Sequence, residues 1–123
     1  MLNTLQYALF GLMFGTGTSA AEVPLWEGYW TTNANWCVNA GEAGDETPTW
    51  IGRDGLYGIE WSCEITSVEP TGFPQSWTLK TTCLDAGLEY TDEYIMLVDM
   101  DDRLLQINQT GQFANLVRCP APK

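Results

Sequence analysis

Cys63 and Cys83 each stand ten residues from Phe73, and the stretch between them reads as two strands around a turn. Upstream, the odd positions are Tyr57, Ile59, Trp61, Cys63 and Ile65, while the even positions are Gly58, Glu60, Ser62, Glu64 and Thr66. A period of two with one apolar face is a half-buried strand. Downstream, Trp77, Leu79, Thr81 and Cys83 share one face, and Thr78, Lys80 and Thr82 the other. The segment "EPTGFPQ" (69–75) between them holds Pro70, Gly72 and Pro74, which make a loop. Centring the hairpin on Phe73 places Cys63 opposite Cys83, Ile65 opposite Thr81 and Ser67 opposite Leu79, with the apolar faces in phase. Directly opposed antiparallel residues have Cα atoms about 4.5–5.5 Å apart, within reach of a disulfide. A slip of one residue would turn the two thiols to opposite faces. The spacing therefore predicts a Cys63–Cys83 bond. With four cysteines in the chain, Cys37 is left to Cys119, a bond that ties the start of the domain to its last strand. Closing a loop of that length stabilises by ~4–5 kcal/mol through chain entropy.

Paired cysteines belong to an oxidising compartment, and the N-terminus agrees. Residues 1–21 carry an apolar run, Tyr7 to Gly15, ahead of Gly17, Ser19, Ala20 and Ala21. This is the pattern of a secretory signal peptide cleaved after Ala20 or Ala21, and the run is too short to span a bilayer. It departs from the usual signal in having no Lys or Arg before Arg53. The competing reading is a buried N-terminal segment. Residues 22–123 are then a single domain, periplasmic or secreted, with no further stretch long enough to cross a membrane. All 16 acidic and 5 basic residues lie in it, giving −11 at neutral pH. Such a charge favours a soluble monomer, repels nucleic acid and anionic membranes, and attracts a cationic partner.

The remaining segments have the same character. Residues 27–32 form a candidate first strand. Residues 49–53 and 55–68 flank Asp54-Gly55, a strong hairpin signal. Residues 93–99, 103–108 and 113–119 complete about seven strands in meander order, separated by the turns "DMDD" (99–102) and "NQTGQ" (108–112). The segment 33–48 is a loop with one helical turn around Trp36 and Cys37. An all-β antiparallel meander follows, closed or nearly closed as a barrel, or folded as a small sandwich, stapled by two disulfides. Of six tryptophans, Trp30, Trp50, Trp61 and Trp77 are expected in the core, and Trp36 as an exposed anchor.

Little catalytic chemistry is available. The chain has no histidine, so it has no Ser–His or Cys–His pair and no usual zinc site, and the cysteines are taken by disulfides. Glu60 and Glu64 share an outward strand face, where nothing separates their acidities for acid–base work. The "DMDD" cluster, with Asp92 and Glu93 near it, offers oxygen ligands but does not match a calcium loop, and reads as a charged hairpin tip. Asn108-Gln109-Thr110 is a glycosylation sequon in a eukaryotic secretory route and otherwise a turn. Neither enzymatic activity, metal nor cofactor is expected.

The stretch "LWEGYWTT" places Gly28-x-Trp30 on the first strand, and this resembles the G-x-W of calycins: lipocalins, avidins and small bacterial inhibitor barrels. The resemblance implies that Trp30 closes one barrel end and that Arg118 is the late-strand arginine stacked on it. A broader pattern is Gly28-x-Trp30, Cys37, "IEWSCEI" (59–65), Trp77 before Cys83, Leu104 and the terminal "VRC" (117–119). It is similar to small secreted or periplasmic disulfide-bearing β-proteins of alphaproteobacteria, a group to which no function is assigned. That likeness implies fold and compartment rather than activity.

Two functions are in view. One is a non-enzymatic binding module, inhibitor-like, that meets a basic protein through acidic loops: Trp36, Glu42, Asp45 and Glu46 in 33–48, and Asp99, Asp101 and Asp102 in 99–102. Secreted bacterial inhibitors of lysozyme, itself cationic, are small disulfide-bearing barrels, an analogy at fold level. The alternative is a calycin-like carrier of a small apolar ligand. A barrel of this size with these tryptophans should be filled by side chains, which favours the module. The export reading carries its own test: intact-mass measurement of protein purified from the cell envelope should give an N-terminus at Ala21 or Glu22, and a mass retaining residues 1–20 would refute it.

Overall fold

An antiparallel meander can close on itself with every neighbour antiparallel only if its strand number is even, and the described residues make eight. The structure, a computed structural model, describes residues 22–121; the expected export segment lies outside them. The strands are β1 (Gly28–Thr31), β2 (Thr49–Ile51), β3 (Gly55–Tyr57), β4 (Trp61–Pro70), β5 (Ser76–Asp85), β6 (Leu88–Val98), β7 (Arg103–Asn108) and β8 (Phe113–Arg118), with a 3-10 helix at Ala34–Asn39. Each pairs with the next, and β8 returns to β1 through Trp30↔Arg118 and Thr31↔Val117. Among the described residues no helix is long and apolar enough to cross a membrane. The fold is the expected closed barrel, with one strand more than the sequence pattern showed.

The extra strand comes from residues 55–68, read as one strand, which break at Gly58–Glu60. Glu60 takes φ +60, and the Gly58 N–H donates to Trp61 O at 3.1 Å. The two halves fold into the β3–β4 hairpin, with Tyr57 opposite Ser62 and Leu56 opposite Cys63. The phase of the first half is therefore reversed: Leu56 is buried and Tyr57, 45% exposed, faces outward. The helical turn around Trp36 and Cys37 and the β2–β3 hairpin at Asp54-Gly55 form as expected.

Hairpin β4–β5 carries the disulfide predicted from spacing. Cys63 is opposite Cys83, their Cα atoms 4.0 Å apart, and both lie in the barrel interior. Ile65 faces Thr81 as expected, but a bulge at Thr66 then shifts the register, so Ser67 meets Lys80 and Val68 meets Leu79. The extra residue is anchored by Thr66 Oγ1, which donates to Lys80 O at 3.1 Å. The bulge absorbs one residue, so β4 runs on through Pro70. The second disulfide joins Cys37 to Cys119 with a Cα separation of 5.4 Å. Two disulfides fit an extracellular or periplasmic protein.

Hairpin β5–β6 is the longest in the barrel and turns through Ala86 (φ +51) and Gly87 (φ +86). Left-handed backbone at both central residues is a type I′ turn, whose twist matches the strands it joins. It starts β6 at Leu88, earlier than the expected residue 93, and extends both strands beyond the barrel's midline.

The core is Trp30, Ile51, Leu56, Cys63, Leu79, Cys83, Met96, Val98, Leu104 and Leu116, with Trp26 beneath one end. Trp61 and Trp77 pack against it as expected. Trp50 does not. Ile51 takes the inward position on its three-residue strand, so Trp50 faces out and packs on Tyr29 with ring centroids 4.9 Å apart. Trp26 fills the place instead. The turn closed by Glu27 N–H to Pro24 O at 3.0 Å swings it under the barrel, where its indole N–H donates to Gly52 O at 3.2 Å. Its ring meets Trp77 edge-on at 4.8 Å.

Arg118 seals this end. Its guanidinium lies 4.3 Å from the Trp30 ring centroid. Nη1 donates to Glu27 O at 2.6 Å, Nη2 to Leu25 O at 2.5 Å, and Nε to Asp102 Oδ2 at 2.9 Å. The Trp30 indole N–H donates to Trp26 O at 2.7 Å. Gly28 is needed here: with φ +154, any Cβ would stand 2.8 Å from Arg118 Nη1, whose position the backbone carbonyl fixes. The stack that the G-x-W resemblance implies is thus present. A lysine keeps the charge but not the planar fork. Arg118→Lys should therefore lose about 1–3 kcal/mol in urea unfolding, the range of a charged hydrogen bond plus the cation–π contact. Arg53→Lys, at the exposed pair with Glu27, should lose less than about 0.5 kcal/mol.

Candidate functional site

Connections in an up-and-down barrel alternate between its two ends. The β2–β3, β4–β5 and β6–β7 turns share the end sealed by Trp30 and Arg118. The β3–β4, β5–β6 and β7–β8 turns share the other, which is open. The inward positions there are Trp61 on β4, Asp85 on β5, Tyr90 and Tyr94 on β6, Gln106 and Asn108 on β7 and Ala114 on β8. Together with Gln112 and Phe113 they line a concavity of about 630 Å³. Its floor is closed. Cys63, Thr81, Cys83, Met96 and Leu104 are all at most 2% exposed. Thr81 Oγ1 donates to Asp92 O at 3.0 Å, and among the described residues no buried side-chain polar atom lacks a partner. The mouth is therefore shallow, half aromatic and half amide or carboxylate.

The walls of the mouth differ in height. β6 pairs with β5 from Leu88 onward but meets β7 only from Tyr94. Residues 88–93 therefore stand above the β7–β8 hairpin as a free strand edge, and all but Asp92 and Glu93 are exposed. Pairing stops where Asp92 Oδ1 accepts the Glu93 N–H at 2.8 Å. At the low rim, Asn108 organises the β7–β8 turn. Its Oδ1 accepts from the Thr110 and Gln112 N–H groups at 3.1 and 2.9 Å, and its Nδ2 donates to Gln112 Oε1 at 2.9 Å. The sequon asparagine is thus the keystone of a turn.

Carboxylates stand at both ends, but the basic residues are distributed unevenly between them. The described basic residues are Arg53, Lys80, Arg103 and Arg118. The three arginines lie at the sealed end, and Lys80 is midway along β5 facing out. At the open end stand Glu60, Asp85, Glu89, Asp92 and Glu93, and none of the described Lys or Arg residues is there. Fields from such like charges add over the low-dielectric mouth and favour a cation.

The residues proposed from sequence do not form one surface. Asp99, Asp101 and Asp102 lie at the sealed end. Asp99 Oδ1 accepts the N–H groups of Asp101 and Arg103, both at 2.9 Å, and Asp102 is the partner of Arg118. The Asp99 and Asp102 carboxylates hold the turn and the seal. Trp36 is half-buried in the 3-10 helix, which the Cys37–Cys119 bond holds beside β1. Glu42, Asp45 and Glu46 are exposed on the β1–β2 connection. Glu42 lies on the outer wall, in a second concavity of about 580 Å³ lined by Tyr29, Trp50, Tyr57 and Glu60. Glu60 sits in the β3–β4 turn and Glu64 on β4, so they do not share a strand face. Asp92 lies far along β6 from the 99–102 turn, and among the described residues no three His, Cys, Asp or Glu side chains are grouped to hold a metal. The mouth residues Asp85, Tyr90, Tyr94 and Gln106 were not singled out from sequence. Their signal was the even-position alternation Leu88, Tyr90, Asp92, Tyr94, which becomes readable once Ala86-Gly87 is taken as a turn.

Burial holds the Tyr94 hydroxyl well above its ordinary value. The adjacent Asp92 carboxylate adds to this by its charge and as a hydrogen-bond acceptor, and Tyr90 contributes further. A raised folded-state pKa gives stability that is complete below the unfolded tyrosine value of 10.0 and is lost as pH rises above it. Chemical denaturation at successive alkaline pH values should show this loss, and Tyr94→Phe should flatten the slope; an unchanged slope would mean the hydroxyl is not held in the mouth.

The chain matches no protein-family model, no curated protein and no solved structure.

Proposed function

We propose that the protein is an exported, non-enzymatic binding module that recognises a basic protein with the open end of its barrel. The observation that carries this reading is the segregation of the basic residues: the arginines offset carboxylates at the sealed end, while at the mouth carboxylates stand without them among Trp61, Tyr90, Tyr94 and Phe113. Aromatic rings beside carboxylates suit lysine and arginine side chains, which gain from both charge and cation–π contact. The filled floor weighs against the alternative of a carrier for a small apolar ligand, which needs an enclosed apolar cavity. The two disulfides, together with the export signal read in residues 1–21, support a place of work outside the cytoplasm.

Rim charges act mainly on association rate. Stopped-flow mixing with a folded basic protein, lysozyme serving as probe, should show an on-rate that falls as salt shortens the Debye length toward ~8 Å. Asp85→Asn with Glu89→Gln should lower the on-rate several-fold and flatten its salt dependence. Asp101→Asn at the sealed end should leave both unchanged. Equal effects from the two ends would sink the reading and leave the acidity as a matter of solubility.

A further inference from the structure

The free edge of β6 gives that recognition a specific form. The Asp85–Leu88 pair closes a two-residue turn, so Leu88, Tyr90 and Asp92 exchange their backbone hydrogen bonds with Asp85, Cys83 and Thr81 on β5. Glu89, Thr91 and Glu93 consequently turn their N–H and C=O groups away from β5, toward the side where β7 has ended. The Glu93 N–H held by Asp92 Oδ1 shows this direction and terminates the pairing. Six residues of edge (88–93) span ~20 Å. An unpaired edge is a template for another strand unless it is blocked. Among the described residues no proline, covering loop or lysine blocks it; its guards are carboxylates, Glu89 and Glu93 outward and Asp85 and Asp92 inward, which repel an acidic strand and admit a cationic one.

The geometry points to strand addition: an extended, basic segment of a partner protein pairs with β6 through the outward N–H and C=O groups of Glu89 and Thr91 and lays alternate Lys or Arg side chains into the mouth. The inference rests on the binding-module reading and names its partner chemistry. Side chains on an added strand alternate as those of β6 do. Those on the inner face stand beside Tyr90 and Asp92 and point over Trp61, Asp85 and Tyr94, the residues lining the concavity. Those on the outer face stand beside Glu89 and Glu93. Both faces present carboxylates, so a cationic side chain is accommodated on either, and the alternate set that enters the mouth meets the aromatic rings as well. A second copy of this chain is disfavoured by the same carboxylates, which would meet their own kind across the new pair.

The test uses the disulfide-bonded protein and two synthetic peptides of identical charge. One has Lys at every second position with Val and Thr between. The other is the same peptide N-methylated at the alternate residues whose N–H groups would face β6. The parent peptide should shift the amide resonances of residues 89–93 and the indole of Trp61, and N-methylation should weaken binding at least tenfold. Thr91→Pro should weaken the parent peptide similarly without changing its salt dependence, because the Thr91 N–H faces away from β5 and no bond within the barrel is lost. Equal binding of the two peptides would overturn strand addition while leaving the charge-based reading intact. Failure of both peptides and of lysozyme to bind would remove both readings. A concentration-dependent dimer abolished by Thr91→Pro would assign the edge to a second copy and overturn the inference.

Discussion

One guanidinium organises the sealed end of this barrel. Arg118 stacks on Trp30, donates to the carbonyls of Glu27 and Leu25, and is paired with Asp102. The last strand, the first strand, the segment before it and the β6–β7 turn therefore meet at a single side chain. A planar fork with five fixed donors can serve four such partners at once, and no other side chain can. The pair Trp30↔Arg118 is also the seam at which the sheet closes, so the plug and the closure are one structure. Trp26 and Trp77 then pack beneath it, and Gly28 is required by the space the guanidinium takes.

Much of this was legible in the sequence, for a physical reason. Alternation over residues 61–65 and 77–83, with cysteines equidistant from a proline- and glycine-rich loop, leaves one register that keeps both faces in phase. That register gives the Cys63–Cys83 bond, and the second bond follows by elimination. The parts that could not be read depend on single backbone choices. Glu60 adopts a left-handed conformation with a side chain that does not advertise one, so a continuous alternation concealed a hairpin. Ala86 does the same in the β5–β6 turn. Left-handed backbone at a residue other than glycine or asparagine costs ~1 kcal/mol or more and carries no pattern in the sequence. The Thr66 bulge is equally silent. Trp50 was misplaced because three-residue strands are too short for periodicity to assign a face.

The candidate site was hidden by the same turns. Acidic residues are easy to see, but only topology sorts them. Asp99 and Asp102 close a turn and a seal, and Asp92 holds Glu93 and Tyr94, whereas Asp85 and Glu89 border an open mouth. Carboxylates that are already satisfied contribute to net charge without being available to a partner. The β5–β6 hairpin gathers the free ones because it overshoots its neighbours, and a longer hairpin necessarily leaves an edge on whichever side the next strand is short.

The disparity in strand length has a kinetic side. β4, β5 and β6, with ten or eleven residues each, are joined by tight turns, so most of their contacts are local and can form with little loss of chain entropy. The seam between β1 and β8 joins residues at opposite ends of the domain, through only two residue pairs. A nascent chain released into an oxidising compartment would thus have Cys63 and Cys83 already opposed within a preformed three-stranded sheet. Cys37 meets Cys119 only after the last strand has docked. The bond with a separation of 20 residues locks a sheet of local contacts, and the one with a separation of 82 locks the closed barrel.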